Sequence, residues 1–167
     1  LENILIDHED RVYLCDFGLC QHYGTTNSAT TADDEDSSEQ RIGESRQPER
    51  REKLFPTATT TSWHCTGSLQ YCAPELFAPA TQTTQPFELA RKSDCWSLGV
   101  VLYTLVRGEF PFGDEFVPRL KMAIAEGKYE RTGNDLVDDL LEHLLCVNPD
   151  ERWGCNQVLE HAWLKLE

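Results

Sequence analysis

A long apolar run at residues 92–107 limits the possible folds more strongly than any other part of the sequence. Its apolar members are Cys95, Trp96, Leu98, Val100, Val101, Leu102, Leu105 and Val106. They fall on most sides of a helix, and such a helix is usually buried. Gly108 and Pro111 follow the run, as is typical where a helix ends. The sequence therefore predicts a buried helix over 92–107.

Helical patterns also lie on both sides of this run. They occupy residues 73–77, 115–126, the segment that follows Asn134 and Asp135, and 156–164. Apolar residues recur in the third of these segments at the spacing of an amphipathic helix. Either Asn134 or Asp135 can cap it, and Pro149 stops it. We therefore expect the chain to be mainly helical after Gly67.

The N-terminus has a different pattern. Residues 2–6 and 11–15 are rich in branched and aromatic side chains, which favour strands. The polar tetrapeptide Asp-His-Glu-Asp separates them. The sequence therefore predicts a short β-hairpin ahead of the helices.

The composition limits the possible functions. The chain has 167 residues, 40% of them hydrophobic, which is enough for one domain with a core. The net charge of −14 argues against nucleic-acid binding. No apolar run approaches the roughly 18 residues that span a membrane. Seven cysteines with irregular spacing favour free thiols in a reducing compartment. We therefore expect an intracellular protein, cytoplasmic or nuclear.

Residues 21–62 differ in composition from the rest of the chain. Ser, Thr, Asp and Glu dominate this segment, and apolar residues are few. Because such a segment buries too little apolar surface to offset the entropy of ordering, we expect it to be disordered. A loop of this length is uncommon inside a compact domain. It indicates either that the chain has more than one domain or that this segment is an insert. An insert could be regulatory, or it could be a neutral flexible insertion.

Three short motifs point to a family. They are Asn3 within Leu-Glu-Asn-Ile-Leu, the tripeptide Asp16-Phe17-Gly18, and the tripeptide Ala73-Pro74-Glu75. Their order, with strands first and helices after, resembles the second half of a protein kinase catalytic domain. The helical part resembles the large lobe of that domain at residues 93–100, 107–112 and 148–153. The start of the chain and residues 67–71 are similar to the serine/threonine kinases, in particular the calcium/calmodulin-regulated and AMP-activated group.

The resemblance implies a site for ATP and Mg²⁺ near the hairpin. Asp16 and Asn3 would each supply an oxygen to a metal ion. Cys15 would line the floor of the nucleotide pocket, and Phe17 would pack under the metal site. Gly18 would give the backbone freedom to switch. Without the resemblance, these residues are ordinary turn, cap and packing residues at strand ends.

The resemblance also implies roles for residues of the helical part. Ser68 would help to hold the catalytic Asp and the acceptor-site loop; the alternative is a turn serine. Glu75 and Arg152 would form a buried ion pair with a structural role. Asp94 would accept backbone hydrogen bonds from the catalytic loop, although a residue there can also cap a helix start.

Activation in this family often depends on a phosphorylated Thr before the segment that starts at Gly67. His64 occupies that position here. Thr61, Ser62 and Thr66 lie close by and are candidate phosphorylation sites with a shifted register. The alternative is a loop that is stabilised without phosphorylation, and the sequence leaves both open.

The family's catalytic Asp would lie five positions before Asn3, upstream of Leu1. We therefore expect residues 1–167 to be a partial kinase domain, the large lobe without the small lobe that would be its partner. The function expected of the parent is ATP-dependent phosphoryl transfer to Ser or Thr of protein substrates, and the chain alone is expected to be inactive. The alternative is a pseudokinase, that is, a scaffold or nucleotide-binding module without transfer activity.

Overall fold

A hairpin and four helices make up the described part of the computed structural model, residues 1–20, 67–77 and 86–165. The strands and helices are β1 (Ile4–Ile6), β2 (Val12–Leu14), α1 (Pro86–Arg107), α2 (Val117–Glu126), α3 (Asp135–Leu144) and α4 (Cys155–Leu159). Short 3₁₀ helices span Leu69–Tyr71, Pro74–Phe77 and Ala162–Lys165. The predicted disordered insert, 21–62, lies outside the described residues. The predicted hairpin followed by helices is confirmed.

The hairpin is held by its turn. Strands β1 and β2 pair antiparallel, with Leu5 opposite Tyr13. The Asp7 carboxylate accepts hydrogen bonds from the backbone N–H groups of Glu9 at 2.9 Å and Arg11 at 3.0 Å. It also accepts one from Arg11 Nε at 2.8 Å. Because a short Asp side chain can close a turn in this way, the polar linker sets the register of the two strands.

Helix α1 is longer than predicted and less buried. It starts at Pro86, since proline suits the first turn of a helix, and it ends before Gly108. Gly108 has a φ of +77° and donates its N–H to the carbonyl of Thr104 at 2.9 Å. The expectation of burial on most sides is wrong, because Leu98 and Leu105 are exposed. The described helices cover one face of α1 and leave the other uncovered.

The core lies between α1, α2 and α3. Its largest fully buried side chains include Trp96, Val100, Phe112, Ile124, Leu140, Leu141 and Leu144. Gly99 in α1 packs directly against the C-terminal end of α3. A Cβ added there would lie 2.9 Å from Leu144 Cβ and 2.9 Å from Leu145 Cδ2. The absence of a side chain at Gly99 therefore allows the two helices to pack closely.

The structure decides between the two candidate caps of α3. The Asn134 side chain accepts hydrogen bonds from the backbone N–H groups of Leu136 at 3.1 Å and Val137 at 3.3 Å. Asp135 is the first residue of the helix. A side-chain oxygen at the cap satisfies N–H groups that have no partner within the helix. Asn134 is therefore the cap.

The single helix predicted over 156–164 is wrong. Helix α4 ends at Leu159, and a separate 3₁₀ helix begins at Ala162. Between them the buried His161 ring binds the Asp139 carboxylate at 2.9 Å through Nε2 and accepts the Trp163 N–H at 3.1 Å through Nδ1. Because the ring satisfies a backbone N–H, it stabilises the break between the two helices.

The expectation of free thiols is correct for most of the described cysteines. Cys15, Cys20, Cys95, Cys146 and Cys155 are free. It is wrong for Cys72, which is disulfide-bonded. An odd number of cysteines excludes complete pairing but not a single bond. Within the described ranges, no helix is both long enough and apolar enough to cross a bilayer.

We predict that Gly99→Ala destabilises the protein. Alanine favours a helix by about 1 kcal/mol over glycine, but overpacking a core costs roughly 1–3 kcal/mol. Because the added Cβ would meet Leu144 and Leu145 at 2.9 Å, the thermal midpoint should fall. Gly113→Ala is the matched control, since nothing lies within 4 Å of a Cβ there. Equal midpoints for the two variants would contradict the packing described for α1 and α3.

Candidate active site

Asn3 and Asp16 come together at the open end of the hairpin. The Cys15 N–H donates a hydrogen bond to the carbonyl of Asn3 at 3.0 Å. Residues directly opposite in an antiparallel pair lie about 4.5–5.5 Å apart. This bond places Asn3 beside the dipeptide Cys15-Asp16, so an amide oxygen and a carboxylate share one end of the hairpin.

Asp16 adopts an uncommon backbone conformation. Its φ is +62°, a left-handed value that Asp tolerates better than most residues. The Gly18 N–H reaches its Oδ1 at 3.4 Å. In the described part of the chain, no Lys, Arg or His side chain forms an ion pair with Asp16, which is exposed. Its carboxylate is therefore available to a cation.

The donor set at this end of the hairpin fits a hard divalent cation that shares its coordination with another molecule. Carboxylate and amide oxygens are the ligands that Mg²⁺ accepts from proteins. Among the described residues, no three His, Cys, Asp or Glu side chains group in a way that could hold a metal ion. Two side chains such as Asn3 and Asp16 suit Mg²⁺, because this ion commonly takes one or two protein ligands plus phosphate oxygens.

The residues on either side of Asp16 were expected to line the nucleotide site (Cys15), to pack under the metal (Phe17) and to give backbone freedom (Gly18). Cys15 is half-buried and carries a free thiol. Phe17 is 65% exposed, and its expected position under the metal site stays a prediction. Gly18 does not have a left-handed φ here, so this conformation does not require glycine at that position.

A cleft of about 470 Å³ joins Asn3 to the segment after Gly67. It is also lined by Ser68, Tyr71 and Phe110. The rings of Tyr71 and Phe110 meet edge to face with centroids 5.3 Å apart. Burial raises the pKa of the Tyr71 phenol above its ordinary value, which already lies well above neutral pH, so the phenol is uncharged there. Ser68 thus lies in the same cleft as Asn3, as a shared role would require.

One residue that the motifs did not indicate holds this wall in place. Ser97 Oγ in α1 donates a hydrogen bond to the carbonyl of Tyr71 at 2.8 Å. This bond fixes the 3₁₀ helix Leu69–Tyr71 against α1. Nothing in the spacing of Ser97 distinguishes it from an ordinary helix residue, so only the packed structure identifies it.

Glu75 and Arg152 form a bidentate ion pair. Arg152 Nη1 donates to Glu75 Oε1 at 2.7 Å, and Nη2 donates to Oε2 at 2.9 Å. Arg152 is fully buried, and the Glu75 side chain is 11% exposed. Paired geometry of this kind is the strongest arrangement of arginine and carboxylate. The ion pair connects two residues that are 77 positions apart.

Backbone carbonyls satisfy the rest of the Arg152 guanidinium. It donates to the carbonyls of Cys146 at 2.9 Å, Lys92 at 2.7 Å and Val147 at 3.4 Å. Its Cζ lies 5.0 Å from the centroid of the Trp96 ring, a cation–π contact. Because every N–H group of the guanidinium has an acceptor, the charge can be buried without a lost hydrogen bond.

Asp94 lies in α1 and is exposed. Within the described ranges it makes no hydrogen bond, and partial desolvation raises the pKa of its carboxyl group. Its role as an anchor of the catalytic loop stays a prediction. The candidate phosphorylation sites Thr61, Ser62 and Thr66, together with His64, lie outside the described residues.

Comparison with known proteins identifies the family. A family model described as protein kinase domain matches residues 1–164. The chain belongs to the protein kinase domain family. A Saccharomyces cerevisiae protein with the name "Putative serine/threonine-protein kinase YPL150W" is 34% identical over 168 residues, which cover 99% of this chain and 14% of that protein.

Two shorter matches agree with this assignment. Serine/threonine-protein kinase H2 of Homo sapiens is 36% identical over 97 residues, which cover 54% of this chain and 25% of that protein. Calcium/calmodulin-dependent protein kinase type 1 of Caenorhabditis briggsae is 34% identical over 97 residues, which cover 54% of this chain and 27% of that protein. This kinase chain thus spans less than a third of the length of each of these relatives.

We predict that Glu75→Gln strongly destabilises the kinase chain. The substitution keeps the shape but leaves the buried Arg152 charge without a counter-charge, which costs roughly 3–5 kcal/mol. The control is Glu88→Gln, which breaks the Glu88–Arg91 ion pair of 3.1 Å between half-exposed side chains. An exposed pair contributes about 1 kcal/mol or less. The two variants are compared by thermal unfolding, and similar midpoints would argue against a structural role for the Arg152 pair.

Proposed function

We propose that this chain is the large-lobe part of a serine/threonine kinase that transfers the terminal phosphoryl group of ATP to protein hydroxyl groups. The observation that carries the proposal is the position of Asn3 and Asp16 at one end of the hairpin, joined by the Cys15–Asn3 hydrogen bond. Phosphoryl transfer depends on positioning and charge neutralisation rather than on covalent chemistry by the protein.

Asn3 and Asp16 would hold Mg²⁺ together with the phosphates of ATP. The chemistry that the ion would supply there is neutralisation of charge on the phosphate oxygens. The left-handed backbone of Asp16 presents a carboxylate that no described basic side chain occupies. Cys15, next in the chain and half-buried, would line the floor of the nucleotide site.

The cleft that contains Asn3 and Ser68 is the proposed place of the acceptor segment. Tyr71, held through its carbonyl by Ser97, gives this cleft a rigid wall. The acidic net charge of −14 would favour basic protein segments as they approach. Rigid positioning of this kind is what brings two reactants into a productive arrangement.

The small lobe is the proposed cover of the hairpin. Leu5, Ile6, Val12 and Leu14 are all exposed, each by more than half of its surface. An apolar patch of this kind typically marks a surface that contacts another protein unit. Together with Phe17, these residues would pack against the small lobe, and the catalytic Asp would lie five positions before Asn3.

We predict that Asp16→Asn in the full-length kinase lowers kcat at least roughly 100-fold, because metal-ion assistance supplies several kcal/mol of transition-state stabilisation. Asp10→Asn is a matched control, since Asp10 is also exposed, has a φ of +58° and lies at the opposite end of the hairpin. Circular dichroism should be unchanged in both variants. Loss of transfer only in Asp16→Asn supports the site. Transfer that survives in Asp16→Asn would refute the metal assignment, and a wild-type protein that binds ATP without transfer would indicate a pseudokinase.

We also predict that the 167-residue chain alone does not phosphorylate a peptide substrate and that it self-associates through the uncovered hairpin. Activity is measured by ATP-dependent phosphate incorporation, and association by light scattering. The full-length kinase serves as the positive control. Phosphate incorporation by a monomeric preparation of the chain alone would show that the small lobe is not needed.

A further inference from the structure

Two thiols from distant parts of the chain lie in contact. Cys95 Sγ in α1 and Cys155 Sγ at the start of α4 are 3.8 Å apart, although 60 residues separate them. Cys95 is 2% exposed, whereas Cys155 is exposed. Both are free thiols. Neither takes part in the proposed transfer site.

The separation of the two sulfurs is close to that needed for a bond. A disulfide has an S–S length of about 2.05 Å, so the sulfurs would have to approach by roughly 2 Å. Helix α4 has five residues, and its first residue is Cys155. It contributes one buried side chain, Val158, whereas α1 contributes several, so a shift of α4 disturbs less of the core.

We propose that Cys95 and Cys155 are a redox modification site, at which a hydroperoxide converts the two thiols into a disulfide and a small-molecule thiol reduces it again by thiol–disulfide exchange. The exposed Cys155 thiol first takes an oxygen atom from the hydroperoxide, which is reduced to water or an alcohol, and becomes a sulfenic acid. The Cys95 sulfur then attacks the Cys155 sulfur. The S–S bond forms as the S–O bond breaks, and the hydroxyl group leaves with the Cys95 proton as water.

The surroundings of the two sulfurs set this order of events. Burial raises the pKa of the Cys95 thiol to about 11, and the neighbouring Cys155 adds to the shift. The Lys92 ammonium acts in the opposite direction. Since the thiolate is the reactive form, the raised pKa and the burial of Cys95 disfavour its direct reaction with an oxidant at neutral pH. Contact with Cys155 makes its attack intramolecular, which offsets the low thiolate fraction.

The disulfide would lie next to the Arg152 network. Cys95 is adjacent to Trp96, whose ring lies against the Arg152 guanidinium, and Cys155 follows Arg152 by three residues. A bond between them would tie α1 to α4 across that network. Closing a loop of this length reduces the entropy of the unfolded chain, so the oxidised protein should resist unfolding more strongly.

The test uses the full-length kinase that contains this chain, treated with graded hydrogen peroxide and digested without reducing agent. We expect a peptide pair linked through Cys95 and Cys155, lighter by two hydrogen atoms than its parts and released by dithiothreitol. The thermal midpoint of the oxidised protein should rise by roughly 5 °C or more. Recovery of Cys155 as a sulfinic acid or a mixed disulfide, with Cys95 still a free thiol, would overturn the proposal.

Two cysteine variants test whether the link forms specifically between Cys95 and Cys155. Cys155→Ser changes an exposed side chain and should abolish both the link and the rise in midpoint. Cys146→Ser is the matched control, because Cys146 is also a free thiol close to Arg152 and its Sγ lies 3.5 Å from the Asn148 carbonyl. The Cys146→Ser variant should still form the Cys95–Cys155 disulfide. Loss of that disulfide in Cys146→Ser would contradict the proposed pairing. Neither readout depends on phosphoryl transfer, so the proposal can fail or hold independently of the kinase activity.

Discussion

The buried guanidinium of Arg152 holds the helical part of this protein together. Glu75 neutralises it through two hydrogen bonds, and three backbone carbonyls accept the remaining N–H groups. These acceptors come from the 3₁₀ helix Pro74–Phe77, from α1 and from the loop after α3. A buried charge is tolerated only when it is fully paired, so these segments cannot separate without exposing an unsatisfied ion. The Arg152 network therefore fixes the 3₁₀ helix Pro74–Phe77, α1 and the loop after α3 relative to one another.

The candidate site depends on a different kind of constraint. Asn3 and Asp16 are positioned by backbone pairing in a hairpin whose apolar side chains are exposed. The opposite wall of the adjoining cleft belongs to the core, because Ser97 in α1 holds the carbonyl of Tyr71. The site thus combines a rigid wall with a hairpin that lacks a cover among the described residues. Phe17 lies next to this uncovered hairpin and is exposed, whereas the family resemblance places it under the metal.

Periodic patterns in the sequence predicted the helices well where local signals were strong. Asn134 marked the start of α3, and Gly108 marked the end of α1. The expectation that Pro149 stops α3 was wrong, because the helix ends earlier, at Leu144. The prediction of one helix over 156–164 was wrong because the His161 ring, bound to Asp139, supplies an acceptor that interrupts it. That contact joins residues that are 22 positions apart, and no local pattern reports it.

The sequence by itself determined the N-terminal hairpin, the main helices that follow it and the kinase family, because periodicity, caps and motifs are properties of neighbouring residues. The family resemblance predicted that Glu75 and Arg152 are partners. Only the tertiary structure revealed that carbonyls from α1 and from the loop after α3 accept the other N–H groups of Arg152. The tertiary structure alone decided that Ser97 supports Tyr71 and that the thiols of Cys95 and Cys155 meet. The physical reason is that contacts between distant residues depend on how whole helices pack, and this packing follows from the shape of the core rather than from any local pattern.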